Sequence, residues 1–295
     1  MTPTGATGPV SRTEPTGTTG PTRSDGSATP PRPRHRLAWI LAALLGAVFV
    51  ALPAAWQAGA YGVTRTGTLH GSSGGRPVTA LHIAGGGANI TVSPRGDEQV
   101  GYRADLSWSR GKPDIAESWH DGALTLTPRC PDEDSWLTGA LSCSILLRVT
   151  VPAGLPVTVT ATAGRVDIGG LGGAVEAQVD TGRIRLTGLR GTVRARIGSG
   201  MLNATALTSP EADLHVGSGR AVVDFTTPPD RVRADIGDGR LALTVPEATV
   251  FRVTTSTGWG RNEVEPELSD PASPRTLDLS VGSGRIAAGY PRPTP

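Results

Sequence analysis

The sequence predicts an all-β fold: a single-stack β-solenoid of about seven coils of 18–24 residues, preceded by one transmembrane helix and a disordered N-terminal tail. Three observations carry this. A residue that is usually small, a glycine and usually an arginine recur seven times, as Ala163-Gly164-Arg165, Thr181-Gly182-Arg183, Ser199-Gly200-Met201, Ser218-Gly219-Arg220, Asp238-Gly239-Arg240, Trp259-Gly260-Arg261 and Ser283-Gly284-Arg285. The glycines lie 18, 18, 19, 20, 21 and 24 residues apart, the near-constant period of stacked repeats. Apolar and polar residues alternate around them, as in half-buried strands whose successive side chains leave opposite faces.

In the first copy Val166 and Ile168 alternate with Arg165 and Asp167, and Leu171 follows before Gly172-Gly173. Val175, Ala177 and Val179 then alternate with Glu176, Gln178 and Asp180. The scheme returns as Ile184, Leu186, Leu189, Val193, Ala195 and Ile197. Later triplets are Ala212-Leu214-Val216, Val232-Ala234-Ile236 and Leu277-Leu279-Val281, each ending three residues before its glycine. The glycines, and pairs such as Pro228-Pro229, mark where each strand must turn. One coil cannot bury its own apolar face, so neighbours must stack. A β-sandwich is the competing architecture, since short strands at regular spacing also suit one.

Residues 1–36 are rich in Thr, Pro, Gly and Ser and read as a disordered cytoplasmic tail. Residues 37–56 are uncharged and apolar, long enough at 1.5 Å per residue for the ~30 Å bilayer core, with Trp39 and Trp56 near the ends. Arg32, Arg34 and Arg36 before this stretch place the N-terminus in the cytoplasm and the repeats outside. The expectation is therefore a single-pass cell-membrane protein with a retained signal anchor. A cleaved signal peptide, with Ala58-Gly59-Ala60 as its site, is the alternative. A linker at 57–77, the repeat domain at 78–289 and a tail at 290–295 complete the organisation. The tail at 1–36 carries net charge +3, which leaves −1 for the rest against a whole-chain +2. The basic balance thus gives no reason to expect nucleic acid.

The two cysteines, Cys130 and Cys143, form an even pair in the part expected to be exported, which suggests a disulfide closing a short loop. Metal binding is the alternative, although no histidine or second cysteine pair stands nearby at ligand spacing.

From Leu146 the run Val149-Thr150-Val151-Pro152, Gly164 with its strand, Leu171-x-Gly173 and the recurring Gly182, Gly200, Gly219 and Gly239 resembles one bacterial family. This is the putative-adhesin, β-strand-repeat domain of unknown function. Leu81 to Val92, with Gly87-Ala88-Asn89-Ile90-Thr91-Val92, is similar to the family's opening strands. The resemblance covers about residues 78–289 and implies a β-solenoid-like, often membrane-tethered fold with no established catalytic residues or cofactor. The stretch 101–146, with Trp108, Trp119, Trp136 and both cysteines, departs from the pattern as an insert.

Six arginines follow the repeat glycines: Arg165, Arg183, Arg220, Arg240, Arg261 and Arg285. In-register stacking would set them ~4.8 Å apart as a ladder for an anionic polymer, such as a cell-wall teichoic acid, or for phospholipid headgroups. Alternatively each caps turn carbonyls or pairs with Asp167, Asp180, Asp224 or Asp238. Trp108, Trp119 and Trp136 either form a partner surface, for an envelope protein or a sugar, or cap the open end of the stack. Asp132-Glu133-Asp134 lacks the alternating spacing of a calcium loop, so no metal is expected there. No nucleophile elbow, zinc-protease helix or phosphate loop is present: Gly198-Ser199-Gly200-Met201 lacks the required lysine. The function expected is a non-catalytic adhesion, structural or ligand-sensing surface of the bacterial cell envelope. The alternative is a surface-anchored polysaccharide enzyme using Asp167 with Asp180, or Asp224 with Asp238.

Overall fold

The computed structural model describes residues 40–49, 51, 64–109, 111–131 and 143–291. Two compact units divide the chain, 1–58 and 59–295. In the first, residues 40–49 and 51 are helical. Ten helical residues rise only about 15 Å, half of a bilayer's apolar core. Among the described residues no helix is long and apolar enough to cross a membrane. This corrects the expectation of a spanning helix at 37–56 and, with it, the single-pass placement in the cell membrane. The tail at 1–36, most of the linker and residues 292–295 lie outside the described residues.

The second unit is one mixed sheet of 13 strands. Its strands are β1 (Arg65–Ser72), β2 (Ala80–Arg95), β3 (Gly101–Trp108), β4 (Asp114–His120), β5 (Ala123–Arg129), β6 (Cys143–Pro152) and β7 (Val157–Gly169). They continue as β8 (Val175–Thr187), β9 (Val193–Leu207), β10 (Glu211–Phe225), β11 (Arg231–Thr244), β12 (Arg252–Val264) and β13 (Thr276–Gly289). The order across the sheet is β1-β3-β6-β2-β7-β8-β9-β10-β11-β13-β12, with β4 paired to β5 and β5 to β2. From β2 to β12 every pair along that path is parallel.

The repeat glycines lie inside these long strands rather than between them, and the parity of burial flips there. In β8, Val175, Ala177 and Val179 are buried before Gly182, and Ile184 and Leu186 after it. A strand running straight could not bury odd positions and then even ones on one side, so each strand turns a corner at its glycine. Both halves feed a single apolar core of Val, Ile, Leu and Ala, with Phe225 and Phe251 its bulkiest members.

Gly200 shows why glycine stands at the corner. Its φ is 140°, a conformation side-chain-bearing residues rarely adopt. A Cβ there would also run into the Gly182 carbonyl oxygen of the preceding strand. The same collision repeats down the column Gly164, Gly182, Gly200, Gly219, Gly239 and Gly284. A parallel column, Gly198, Gly217, Gly237, Gly282 and Gly258, packs backbone against backbone two residues earlier. The Gly-x-Gly motifs are therefore packing devices.

Two departures from the sequence reading concern the ends of the stack. The described parts of 101–146, which the sequence set apart as an insert, belong to the sheet. β5 pairs with the first half of β2 and β6 with its second half, so two strands supply the layer that one strand supplies elsewhere. β3 then joins β6, β1 joins β3 and β4 joins β5, all antiparallel. The Cys130–Cys143 disulfide links the end of β5 to the start of β6, across Cα atoms 6.0 Å apart.

At the other end the last two repeats exchange places, with β13 between β11 and β12. Side-chain polarity accounts for the exchange. β13 turns Leu277, Leu279, Val281, Ile286 and Ala288 inward, all buried. β12 offers Val253, Thr255, Thr257 and Asn262 at the matching positions. The Asn262 amide donates to the Thr255 hydroxyl at 2.6 Å, closing the edge layer with a polar contact where β13 packs Leu279 and Ile286. The strand with the apolar inner face takes the two-sided position, and the polar one takes the edge.

Replacing Gly200 by alanine is expected to cost about 1–3 kcal/mol in backbone strain alone, lowering the thermal midpoint by about 2–4 °C per kcal/mol. Replacing its exposed neighbour Ser199 by alanine is expected to shift stability by less than about 0.5 kcal/mol. Circular-dichroism melts of the two variants check this, and equal losses would refute the glycine column. Replacing both Cys130 and Cys143 by serine is expected to remove about 3 kcal/mol, the loop-closure value for a loop of this length, read as a lower denaturant midpoint.

Candidate functional site

Fixed register turns every position of the repeat into a row running along the stack. The residue after each corner position, Ala88 in β2 and a glycine in the other strands, gives the order Asn89, Arg165, Arg183, Met201, Arg220, Arg240, Arg285 and Arg261 from β2 to β12. All six arginines singled out from the sequence stand in this one row, with Met201 between Arg183 and Arg220. Neighbouring positions are one strand spacing apart, ~4.8 Å. Arg183 is half-buried and the other five are exposed.

Little neutralises them. Arg285 Nε lies 3.5 Å from Glu263 Oε1, and Arg183 donates to the Met201 sulfur at 3.5 Å. Among the described residues Arg165, Arg220, Arg240 and Arg261 form no ion pair. Two of the acids considered as their partners are placed otherwise. Asp167 stands opposite Arg185, 3.9 Å away, and Asp224 accepts the Ala206 backbone N–H at 3.4 Å.

A second row supplies the contrast. On the outer face of the first half-strands, Glu176, Arg194, Asp213, Arg233 and Asp278 alternate in sign from β8 to β13. Opposite charges in register attract and like charges repel. That row compensates itself, and the corner row does not.

The carboxylate pairs considered for catalysis are not brought opposite one another. Asp167 registers with Arg185, Asp224 with Thr244, and Asp238 with Ser218 and Ser283. His215 Nδ1 lies 3.3 Å from Asp235, which also accepts the Ser280 hydroxyl at 2.7 Å. Here the carboxylate stands between histidine and serine, whereas a nucleophile relay needs the imidazole between them.

Trp108 on β3 and Trp119 on β4 are half-buried against the core, and the Arg76 guanidinium lies 5.5 Å from the centre of the Trp119 ring. The Tyr102 hydroxyl of β3 donates to Glu117 of β4, tying two strands that do not pair with each other. Burial and that carboxylate hold the Tyr102 phenol well above its usual range. Trp136 and the acidic run 132–134 lie outside the described residues. No group of metal-ligating side chains occurs among the described residues.

Trp259 carried no separate meaning in the sequence, where it stands as one copy of the small residue before a glycine. The register aligns it with Ser283, Asp238, Ser218, Ser199, Thr181 and Ala163. It is 85% exposed on the edge strand, beside the last arginine of the row. Being the only large member of that line is the signal that marks it.

No protein-family model matches the chain, and no curated protein matches it. Among solved structures the chain is similar to a putative adhesin from Bacteroides fragilis, 18% identical over 76% of this chain and 97% of that one, with a TM-score of 0.44. A putative adhesin from Parabacteroides distasonis is 10% identical over 78% and 98%, also at 0.44. A putative cell adhesion protein from Clostridium sporogenes is 13% identical over 78% and 100%, at 0.40.

Proposed function

We propose that this chain is a non-catalytic adhesion module: a β-solenoid whose corner row of arginines holds an anionic polymer. Parallel in-register strands with a corner in each, and a core fed from both halves, support the solenoid reading. One observation carries the binding reading: six arginines are aligned in a single row, and one of them forms an ion pair. Nothing in the geometry of the fold requires this, because the outer row of the first half-strands shows that the same register accommodates alternating charge.

A linear polyanion laid along the corner would relieve the repulsion between guanidiniums and accept charge-assisted hydrogen bonds from them. Arginine suits this better than lysine, since its planar fork grips phosphate or carboxylate with two parallel bonds. Five of the seven residues in the line beside the row, Ala163, Thr181, Ser199, Ser218 and Ser283, are small and leave the approach open, and Asp238 and Trp259 interrupt it near the edge strand.

The test is binding of the full chain to immobilised linear polyphosphate and polygalacturonate, with neutral dextran as the blank. Retention on both polyanions is expected at low salt, falling as the screening length drops below about 10 Å near 0.1 M. Changing Arg165, Arg183 and Arg220 together to glutamine is expected to weaken retention about tenfold or more with an unchanged melting temperature. Undiminished retention by that variant, or a melting temperature that falls instead, would sink the proposal.

A further inference from the structure

Beyond the corner, the second outward position of each strand forms another row: Asp167, Arg185, Asn203, Val222, Ala242, Ala287 and Glu263 from β7 to β12. Its side chains shrink toward the C-terminal end of the stack and rise again only at the edge strand. The gap is an open groove of about 310 Å³, lined among others by Ala242, Thr244, Ala287 and Gly289. That volume lies at the small end of the range for ligand clefts, about 300–1,000 Å³.

The rims of the groove carry opposite charge. Arg240 and Arg285 stand two residues before Ala242 and Ala287 on the same strands, so they share its outward face. Glu263 and Glu265 line the groove, and Glu263 reaches Arg285, its Oε1 3.5 Å from the Arg285 Nε. Glu265 is fixed in place: its Oε2 accepts the Tyr290 backbone N–H at 3.0 Å, and its own backbone N–H bonds the Ala288 carbonyl at 3.0 Å. A Cβ at position 289 would collide with the Glu265 carboxyl, so Gly289 is what lets that group lie over the end of the groove.

A pure polyanion meets only half of this chemistry. Polyphosphate has no hydroxyl donors for Glu263 and Glu265 and would be repelled by them. The complementary ligand carries an anionic group and several hydroxyls within the span of one ring, with an apolar C–H face to lie on alanine. We infer that this groove is a subsite for one hexuronic-acid residue of an acidic polysaccharide. Its carboxylate meets Arg240, with Arg285 held beside it by Glu263, and its hydroxyls donate to Glu265. The inference rests on the arginine-row reading and deepens it, by naming uronic-acid glycans as the preferred polyanion.

The experiment measures the affinity of the full chain for oligogalacturonate and for linear polyphosphate of equal charge, in wild type, Ala287→Leu and Glu265→Gln. Leucine at 287 fills the groove from an outward-facing position. Glutamine at 265 keeps an oxygen for the Tyr290 N–H but loses the charge. Wild type is expected to prefer oligogalacturonate, and each variant to lower the ratio of the two affinities, by about tenfold for Ala287→Leu. A wild-type preference for polyphosphate overturns the inference, as does a ratio unchanged in both variants. Should Ala287→Leu fail to fold, Glu265→Gln decides alone. A wild-type protein that binds neither polymer removes the arginine-row reading itself, an outcome distinct from loss of preference.

Discussion

In the parallel stack each corner glycine lies backbone to backbone against the neighbouring strand, where a Cβ would strike a carbonyl oxygen, and most of the remaining architecture depends on that contact. With a side chain at Gly182 or Gly200 the strands could not stay at hydrogen-bonding distance while both turn the same corner. Because the glycines stack on one another from β7 to β12, the register is pinned at that point in each of those layers. A slip of one residue would move all the apolar triplets to the outer face. Corner, register and core thus share one cause.

Pinned register has a second effect, on the outside. Any residue type that recurs at a fixed distance from the glycine becomes a continuous line on the surface. The repeat therefore writes its chemistry in lines rather than in clusters. Glu176, Arg194, Asp213, Arg233 and Asp278 make a line that neutralises itself, whereas Arg165, Arg183, Arg220, Arg240, Arg285 and Arg261 make one that does not. The two lines differ only in which residues evolution placed at equivalent offsets. The fold permits either.

The repeat strands and the alignment of the arginines were legible in the sequence because the alternation and the Gly-Arg step are read within one copy and recur at near-constant spacing. The ends were not. The exchange of β12 and β13 follows from comparing Thr255, Thr257 and Asn262 with Leu279, Val281 and Ile286, a comparison between copies that spacing alone does not prompt. The role of β5 and β6 as the two halves of one layer was hidden because no corner glycine joins them. The stretch at 37–56 has the composition of a span, yet its described helical residues cover about half the required length. The groove over Ala242 and Ala287 escaped notice because alanine at an outward position carries no signal until its row neighbours are known.

The edge strand β12 also bears on how the chain completes itself. β12 finds its strand partner only in β13, which lies after it in the chain. At the opposite end β2 is flanked by β6 and β7, and β1 waits for β3 and β3 for β6. A stack whose layers followed chain order could grow one layer at a time from either end, each addition resting on the one before. Here the edge strands at both extremities, β1 and β12, precede in the chain the strands they pair with and must wait for them. The two ends are therefore assembled by return of the chain and not by simple propagation, and the pairings just inside them, β2 with β7 and β11 with β13, close longer loops than the successive repeat strands between them.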